Sequence, residues 1–292
     1  MTAEWLVAPT DDGRELEVVV AGAGDGLLLF HLGTPTAAAA LAQIVEPATE
    51  RGLRTVLYSR PGYAASTAGP GRTVADAAAD VRAVLRRLDS DRFVTGGWSG
   101  GGPHALACAA LLPDSCAAAA TLAGVAPHDA EGLDWLAGMG PENVAEFGAA
   151  RAGVAALTSH LEAEAAGLAA VTGPDLVAAL GGLISDVDKA ALTGDLADGL
   201  AEVFRRSVST GIAGWRDDDL AFVAPWGFEL SSITVPVAVW QGSQDRMVPV
   251  EHGSWLAAHL PSARAHLHDA HGHLSLLEHL PDVLDDLLQL AA

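Results

Sequence analysis

The chain has 292 residues, half of them apolar, with 16 Lys and Arg against 37 Asp and Glu and a formal net charge of −21. That charge argues against nucleic acid or an anionic membrane surface as a partner, since both carry the same sign. Cys108 and Cys116 sit in apolar surroundings and read as small buried hydrophobes rather than a disulfide or metal site. With no basic leader and no apolar run of about 18 residues, a cytoplasmic setting is expected.

The first thirty residues alternate strand and turn. Glu4–Ala8 and Glu15–Ala21 are β-type and are split by Thr10-Asp11-Asp12-Gly13. Leu27-Leu28-Leu29-Phe30 is a continuous apolar run suited to a strand buried on both faces. The loop His31-Leu32-Gly33-Thr34-Pro35 follows, then a predicted helix from about Ala37 to Arg51. Thr55–Tyr58 is the next strand and ends at Ser59-Arg60-Pro61-Gly62. Thr73 can cap a helix running to about Leu88. The strand at Arg92–Thr95 leads into Gly97-Trp98-Ser99-Gly100-Gly101, an Ala- and Leu-rich helix over Pro103–Leu112, and a strand at Ala117–Leu122.

From 127 to 230 there is helical periodicity with Gly and Pro breaks and no convincing buried strand. Alternation resumes with a strand at Val235–Gln241, a helix near Val250–Leu260, a strand near Ala263–His268 and a last helix from about Leu274 to Leu290. Strands alternating with helices predict an α/β fold, a mostly parallel sheet with helices on both faces. The domain reading is a core of 1–126 and 231–292 with a helical cap at 127–230.

Gly97–Gly101 is a G-x-S-x-G motif between a strand and a helix, where a sharp turn exposes the serine hydroxyl. A serine nucleophile needs a base, and the base an orienting acid, in the chain order Ser, Asp or Glu, His. Ser99 is the expected nucleophile. Asp245 follows a late strand and is the expected acid. The base lies among His266, His268, His271, His273 and His279; His273 is preferred because Gly272 allows a tight turn before the last helix, with His271 as competitor. His266 and His268 read as packed or exposed strand residues, and His279 as a residue on the surface of the last helix. Such a cluster can also bind Zn²⁺, but the serine motif already explains the need for a base, so no metal is expected. The oxyanion donors are expected from Gly100 and Thr34.

Together with Arg60-Pro61-Gly62-Tyr63, these segments make the chain similar to the α/β-hydrolase superfamily, within the single-cap group of carboxylesterases, prolyl-aminopeptidase-like and haloperoxidase-like enzymes. The resemblance covers almost the whole chain except the cap. It implies a Ser–Asp–His triad and no cofactor. Leu32 stands where such proteins commonly have His, and Ser59 where many have Asp; both positions brace the oxyanion loop.

The expected partner is a small-molecule substrate. Trp98, Trp215 and Trp226 are candidates for an apolar pocket, or else pack the cap onto the core. Asp217-Asp218-Asp219 reads as a solvated acidic turn, or as the amine-binding site of an aminopeptidase. The leading function is a serine hydrolase acting on small or medium carboxylic esters through an acyl-enzyme. An aminopeptidase-like amide hydrolase is the alternative, followed by a ligand receptor without turnover.

Overall fold

A computed structural model describes residues 3–292. Strands β1 (Ala3–Pro9), β2 (Glu15–Ala21), β3 (Gly26–His31), β4 (Leu53–Tyr58), β5 (Phe93–Trp98), β6 (Cys116–Leu122), β7 (Val237–Gly242) and β8 (Ala263–His268) form one sheet. Their order is β1-β2-β4-β3-β5-β6-β7-β8. β2 is antiparallel to β1 and β4, and all other neighbours are parallel.

The apolar runs work by alternation. Side chains along a strand point to opposite faces, so Leu27 and Leu29 enter one core while Leu28 and Phe30 enter the other. Val237 and Val239 likewise oppose Ala238 and Trp240. Helices α1 (Ala42–Glu50) and α2 (Ala77–Arg87) supply Ile44 to one core and Val81 and Val84 to the other. Leu106 of α3 (Gly101–Leu111) joins the core of α2.

Between β6 and β7 the chain is helical: α4 (Pro141–Ala152), α5 (Val154–Ala170), α6 (Leu176–Ala179), α7 (Asp186–Ala191), α8 (Gly194–Ser207) and α9 (Ala213–Val223). Pro141 opens α4, where its missing N–H costs nothing. Gly153, at φ 105°, takes the turn from α4 into α5 that a side chain would resist. After β7, Leu256 of α10 (Val250–His259) enters the core that α2 and α3 line, whereas Val283, Leu284 and Leu287 of α11 (Leu280–Leu290) enter that of α1. Both faces of the sheet are thereby covered.

The last helix starts later than expected. Ser275–His279 is a 3₁₀ turn, and α11 begins at Leu280 with Pro281 in its first turn. His279 therefore sits at a half-buried corner instead of on a helix surface. Both cysteines are free and buried, as their apolar neighbours implied. Among the described residues no helix is long and apolar enough to cross a membrane.

Candidate active site

Ser99 occupies the two-residue turn between β5 and α3 with φ at 57°, a left-handed conformation that a non-glycine residue adopts only under constraint. Its N–H donates to the Leu122 carbonyl (2.8 Å), and its own carbonyl accepts from the Gly102 N–H (2.9 Å). The turn also needs its glycines. A Cβ on Gly97 would collide with the Gly101 carbonyl, and one on Gly101 with the His31 carbonyl. The N-terminus of α3, with its partial positive charge, begins beside the hydroxyl.

Asp245 and His273 meet at the same sheet edge. Asp245 Oδ2 lies 2.7 Å from His273 Nδ1, and both side chains are buried. Asp245 Oδ1 accepts the N–H groups of Met247 and Val248, each at 2.8 Å, and Oδ2 also accepts from Gln241 (3.1 Å). Burial pushes the Asp245 carboxyl above its ordinary range, against the opposing pull of His273 and the Val248 N–H. With Nδ1 facing a carboxylate, the imidazole carries its proton there and leaves the Nε2 lone pair free. Trp98, next to Ser99 in the chain, packs on the His273 ring at 5.3 Å between centroids and donates its indole N–H to the His273 carbonyl (3.1 Å). Among the described residues no hydrogen bond joins Ser99 Oγ to His273.

The His273 loop has a second support that the sequence did not reveal. Asp188 of α7 accepts the N–H groups of His273 (3.0 Å), Leu274 (2.8 Å) and Ser275 (2.9 Å), as well as the Ser275 hydroxyl (3.0 Å). Burial raises its pKa, but the donors and the nearby His273 outweigh it and hold the carboxyl below its usual value. A side chain on Gly272 would collide with this carboxylate. The only sequence signal is the Ser185–Asp188 capping box, which announces a helix start and not a contact 85 residues away.

The loop after β3 is braced by charge. Arg60 donates to the carbonyls of Leu32 (2.6 Å) and Gly33 (2.7 Å) and to Thr34 Oγ1 (2.9 Å). Thr34 Oγ1 in turn donates to Asp218 (2.8 Å), which also receives Arg60, Arg72 and the Tyr63 hydroxyl. Burial disfavours the Asp218 anion, but Arg60 and Arg72 hold it well below the usual carboxylate range. Ser59 is a separate brace: its hydroxyl donates to Glu17 (2.8 Å) and accepts the Ala38 N–H (3.0 Å). Asp217, Asp218 and Asp219 are therefore not a solvated turn: all three are buried on α9. The cations that hold the Asp218 charge, Arg72 and Arg60, lie 146 and 158 residues away, beyond the reach of a local pattern, whereas Asp217 pairs with the adjacent Arg216.

A cavity of about 560 Å³ opens over Ser99, Thr34 and Gly100, with α4, α5 and α9 among its walls. Trp215 lines it and donates to Glu146 (2.8 Å). Trp98 and Trp226 are buried but are not in its lining. Trp226 instead packs on Phe228, and its carbonyl accepts the Ala75 N–H just before α2. Four carboxyl groups, Glu142, Glu146, Glu164 and Asp219, and His160 face the cavity, with no Lys or Arg in its lining. Burial, and then the neighbouring Glu146, push the Asp219 carboxyl well above its ordinary value; burial also raises Glu146.

Residues 26–280 match the family model for the alpha/beta hydrolase fold. No curated protein matches the chain. Among solved structures, an alpha/beta hydrolase fold protein from Nakamurella multipartita is 26% identical with a TM-score of 0.68, covering 99% of this chain and 100% of that one. The enol-lactonase of Burkholderia xenovorans LB400 is 22% identical with a TM-score of 0.70, covering 97% and 100%. An esterase from Rhodococcus sp. ECU1013 is 20% identical with a TM-score of 0.66, covering 98% and 99%. With the family match spanning both the Ser99 turn and the His273 loop, the chain belongs to the alpha/beta hydrolase fold family.

Proposed function

We propose that the protein is a serine hydrolase that cleaves carboxylic esters of small or medium size through an acyl-enzyme, without a cofactor. The observation that carries this reading is the buried Asp245–His273 pair at 2.7 Å beside the strained turn that presents Ser99 to the cavity. His273 Nε2 takes the proton of Ser99 Oγ as the oxygen attacks the ester carbonyl carbon. Asp245 holds the Nδ1 proton and stabilises the imidazolium. The oxyanion is met by the N–H groups of Gly100 and Thr34; the Thr34 hydroxyl is committed to Asp218. Collapse breaks the ester C–O bond, and His273 gives its proton to the leaving alkoxide. A water, deprotonated by His273, then attacks the acyl carbon, and the acid departs as Ser99 recovers its proton. Residues 127–230 act as the cap whose helices set the shape of the cavity.

The acidic lining favours a second reading. Glu142, Glu146, Glu164 and Asp219 suit an acyl or leaving group that carries an amine, as in an aminopeptidase-like amide hydrolase. A panel of p-nitrophenyl esters against aminoacyl anilides separates the two readings. The proposal as a whole is tested by a fluorophosphonate probe. It should label wild type at Ser99 and leave Ser99→Ala unlabelled and at least about 10⁴-fold slower. Equal labelling of the two proteins, or more than a tenth of wild-type turnover in the variant, would overturn it; no labelling and no turnover in wild type would favour the receptor reading.

A further inference from the structure

Three histidines outside this site face one another at the β8 edge of the sheet. His268 ends β8, His271 lies in the following loop, and His279 ends the 3₁₀ turn before α11. One ring nitrogen of each lies within 4.8 Å of those of the other two. The rings of His268 and His279 stack at 4.1 Å between centroids, and His271 stands edge-on to them at 5.6 Å and 4.5 Å. His268 Nε2, His271 Nδ1 and His279 Nε2 are all buried and have no hydrogen-bond partner among the described residues. Buried polar atoms are ordinarily paired, so three orphans in one place require an explanation.

The neighbouring His266 shows what a satisfied imidazole looks like on the same strand. Its Nε2 lies 2.9 Å from Asp286, and its ring stacks on Trp240 at 3.9 Å. His279 has a different arrangement. Its Nδ1 donates to Asp282 (3.1 Å), which leaves the lone pair on the orphaned Nε2. A carboxylate behind an imidazole in this way fixes the tautomer and the ring orientation, as the outer shell of a metal centre does.

We infer that His268, His271 and His279 form a binding site for one divalent transition-metal ion of the Zn²⁺ class, with Asp282 as the support behind His279. Three imidazoles without an oxygen ligand suit Zn²⁺ and its neighbours rather than Mg²⁺ or Ca²⁺. Zinc–imidazole bonds of about 2.0–2.1 Å in a tetrahedron place the nitrogens about 3.3 Å apart. Closing from at most 4.8 Å requires ring rotation and sub-ångström to ångström shifts at a half-buried surface corner. The open side admits a water as fourth ligand. The site also reaches the loops that carry Asp245 and His273. Ser243 N–H donates to the His268 carbonyl and Gln244 N–H to that of His271, both at 2.9 Å. A bound ion would therefore pin both loops from outside the cavity.

The test is Zn²⁺ titration of the chelator-stripped full chain by calorimetry, with Co²⁺ absorption as the reporter of coordination. Wild type should bind one Zn²⁺ per chain with a Kd of about 1 μM or lower. His271→Gln and His279→Gln should each weaken binding by at least about a hundredfold, and the exposed Asp282→Asn by roughly tenfold. His259→Gln, on α10, should leave it unchanged. Wild type should also melt about 4 °C higher in zinc at a hundredfold excess over Kd. No binding at 0.1 mM, or equal affinity in wild type, His271→Gln and His279→Gln, overturns the site. Because metal binding is read without substrate, its failure is distinguishable from failure of the hydrolase reading.

Discussion

Asp188→Asn is the substitution that best tests whether the inserted helices position the proposed base. It keeps the shape of a carboxylate that accepts three consecutive backbone N–H groups and two hydroxyls. Oδ1 serves Leu274, Ser275 N–H and the Ser275 hydroxyl, and Oδ2 serves His273 N–H and Ser185. An asparagine can keep its oxygen on the more populated side, but its NH₂ group must then face the His273 N–H, donor against donor. One buried donor left unpaired costs about 1–3 kcal/mol, and loss of charge assistance in the remaining bonds adds to it. A total of about 2–4 kcal/mol corresponds to a fall in Tm of roughly 3–7 °C for a chain of this size. A displacement of the imidazole by about 1 Å would cost on the order of 10²-fold in kcat, with KM little changed. Differential scanning fluorimetry and ester kinetics read the two effects separately. Asp186→Asn is the control, since Asp186 is exposed and pairs only with Lys189. Wild-type Tm and kcat in Asp188→Asn would refute the clamp.

Asp245→Asn should lower kcat by about 10⁴ with KM nearly unchanged, because the amide favours the wrong imidazole tautomer; near-normal turnover would assign the acid role elsewhere, with Asp269 the first to examine. Trp215→Ala should alter the ranking of esters by chain length in kcat/KM, since one methylene in an apolar pocket is worth about 1–3 kcal/mol. Trp226→Ala, outside the cavity, should lower Tm and keep that ranking; the reverse pattern would relocate the pocket. Acid should destabilise the fold through buried neutral histidines. Burial pushes His104 down to about 3 and His252 down to about 4. The unfolded chain takes up these protons near pH 6.5 and the folded one does not, so stability is full above about 6.5 and falls as pH drops towards 4, by about 3 kcal/mol for each residue. A Tm that stays flat from pH 7.5 to 4.5, or one whose fall is unaltered in His252→Gln, would contradict this.

The parts legible in the sequence are those with a local cause. The strands from Leu27 to Gly242 could be read because each apolar run serves two cores by alternation. The Ser99 turn could be read because Gly97 and Gly101 must lack a Cβ within five residues of chain. Asp245 and His273 followed from where their loops leave the sheet, and they do meet. What escaped was set by pairing over distance. Asp218 looked like part of an exposed acidic run, yet Arg60 and Arg72 neutralise it from across the chain. Trp226 looked like a pocket residue by its position before the core resumes, but its ring packs on Phe228 and its carbonyl is tied to the Ala75 N–H. His279 was misplaced because a 3₁₀ turn, not the expected helix from Leu274, carries it into the histidine cluster.

These long-range contacts converge on one short segment. Residues 271–275 are held by Asp188 from α7, by Trp98 from β5, and by Gln244 from the Asp245 loop. None of these supports belongs to the helix that follows the segment, so the position of His273 depends on how three separate parts of the chain are packed. The helices between β6 and β7 provide both Asp188 and much of the cavity wall. Asp188 therefore joins those helices to the loop of the proposed base, which is why its substitution is expected to lower kcat although it touches no reacting atom.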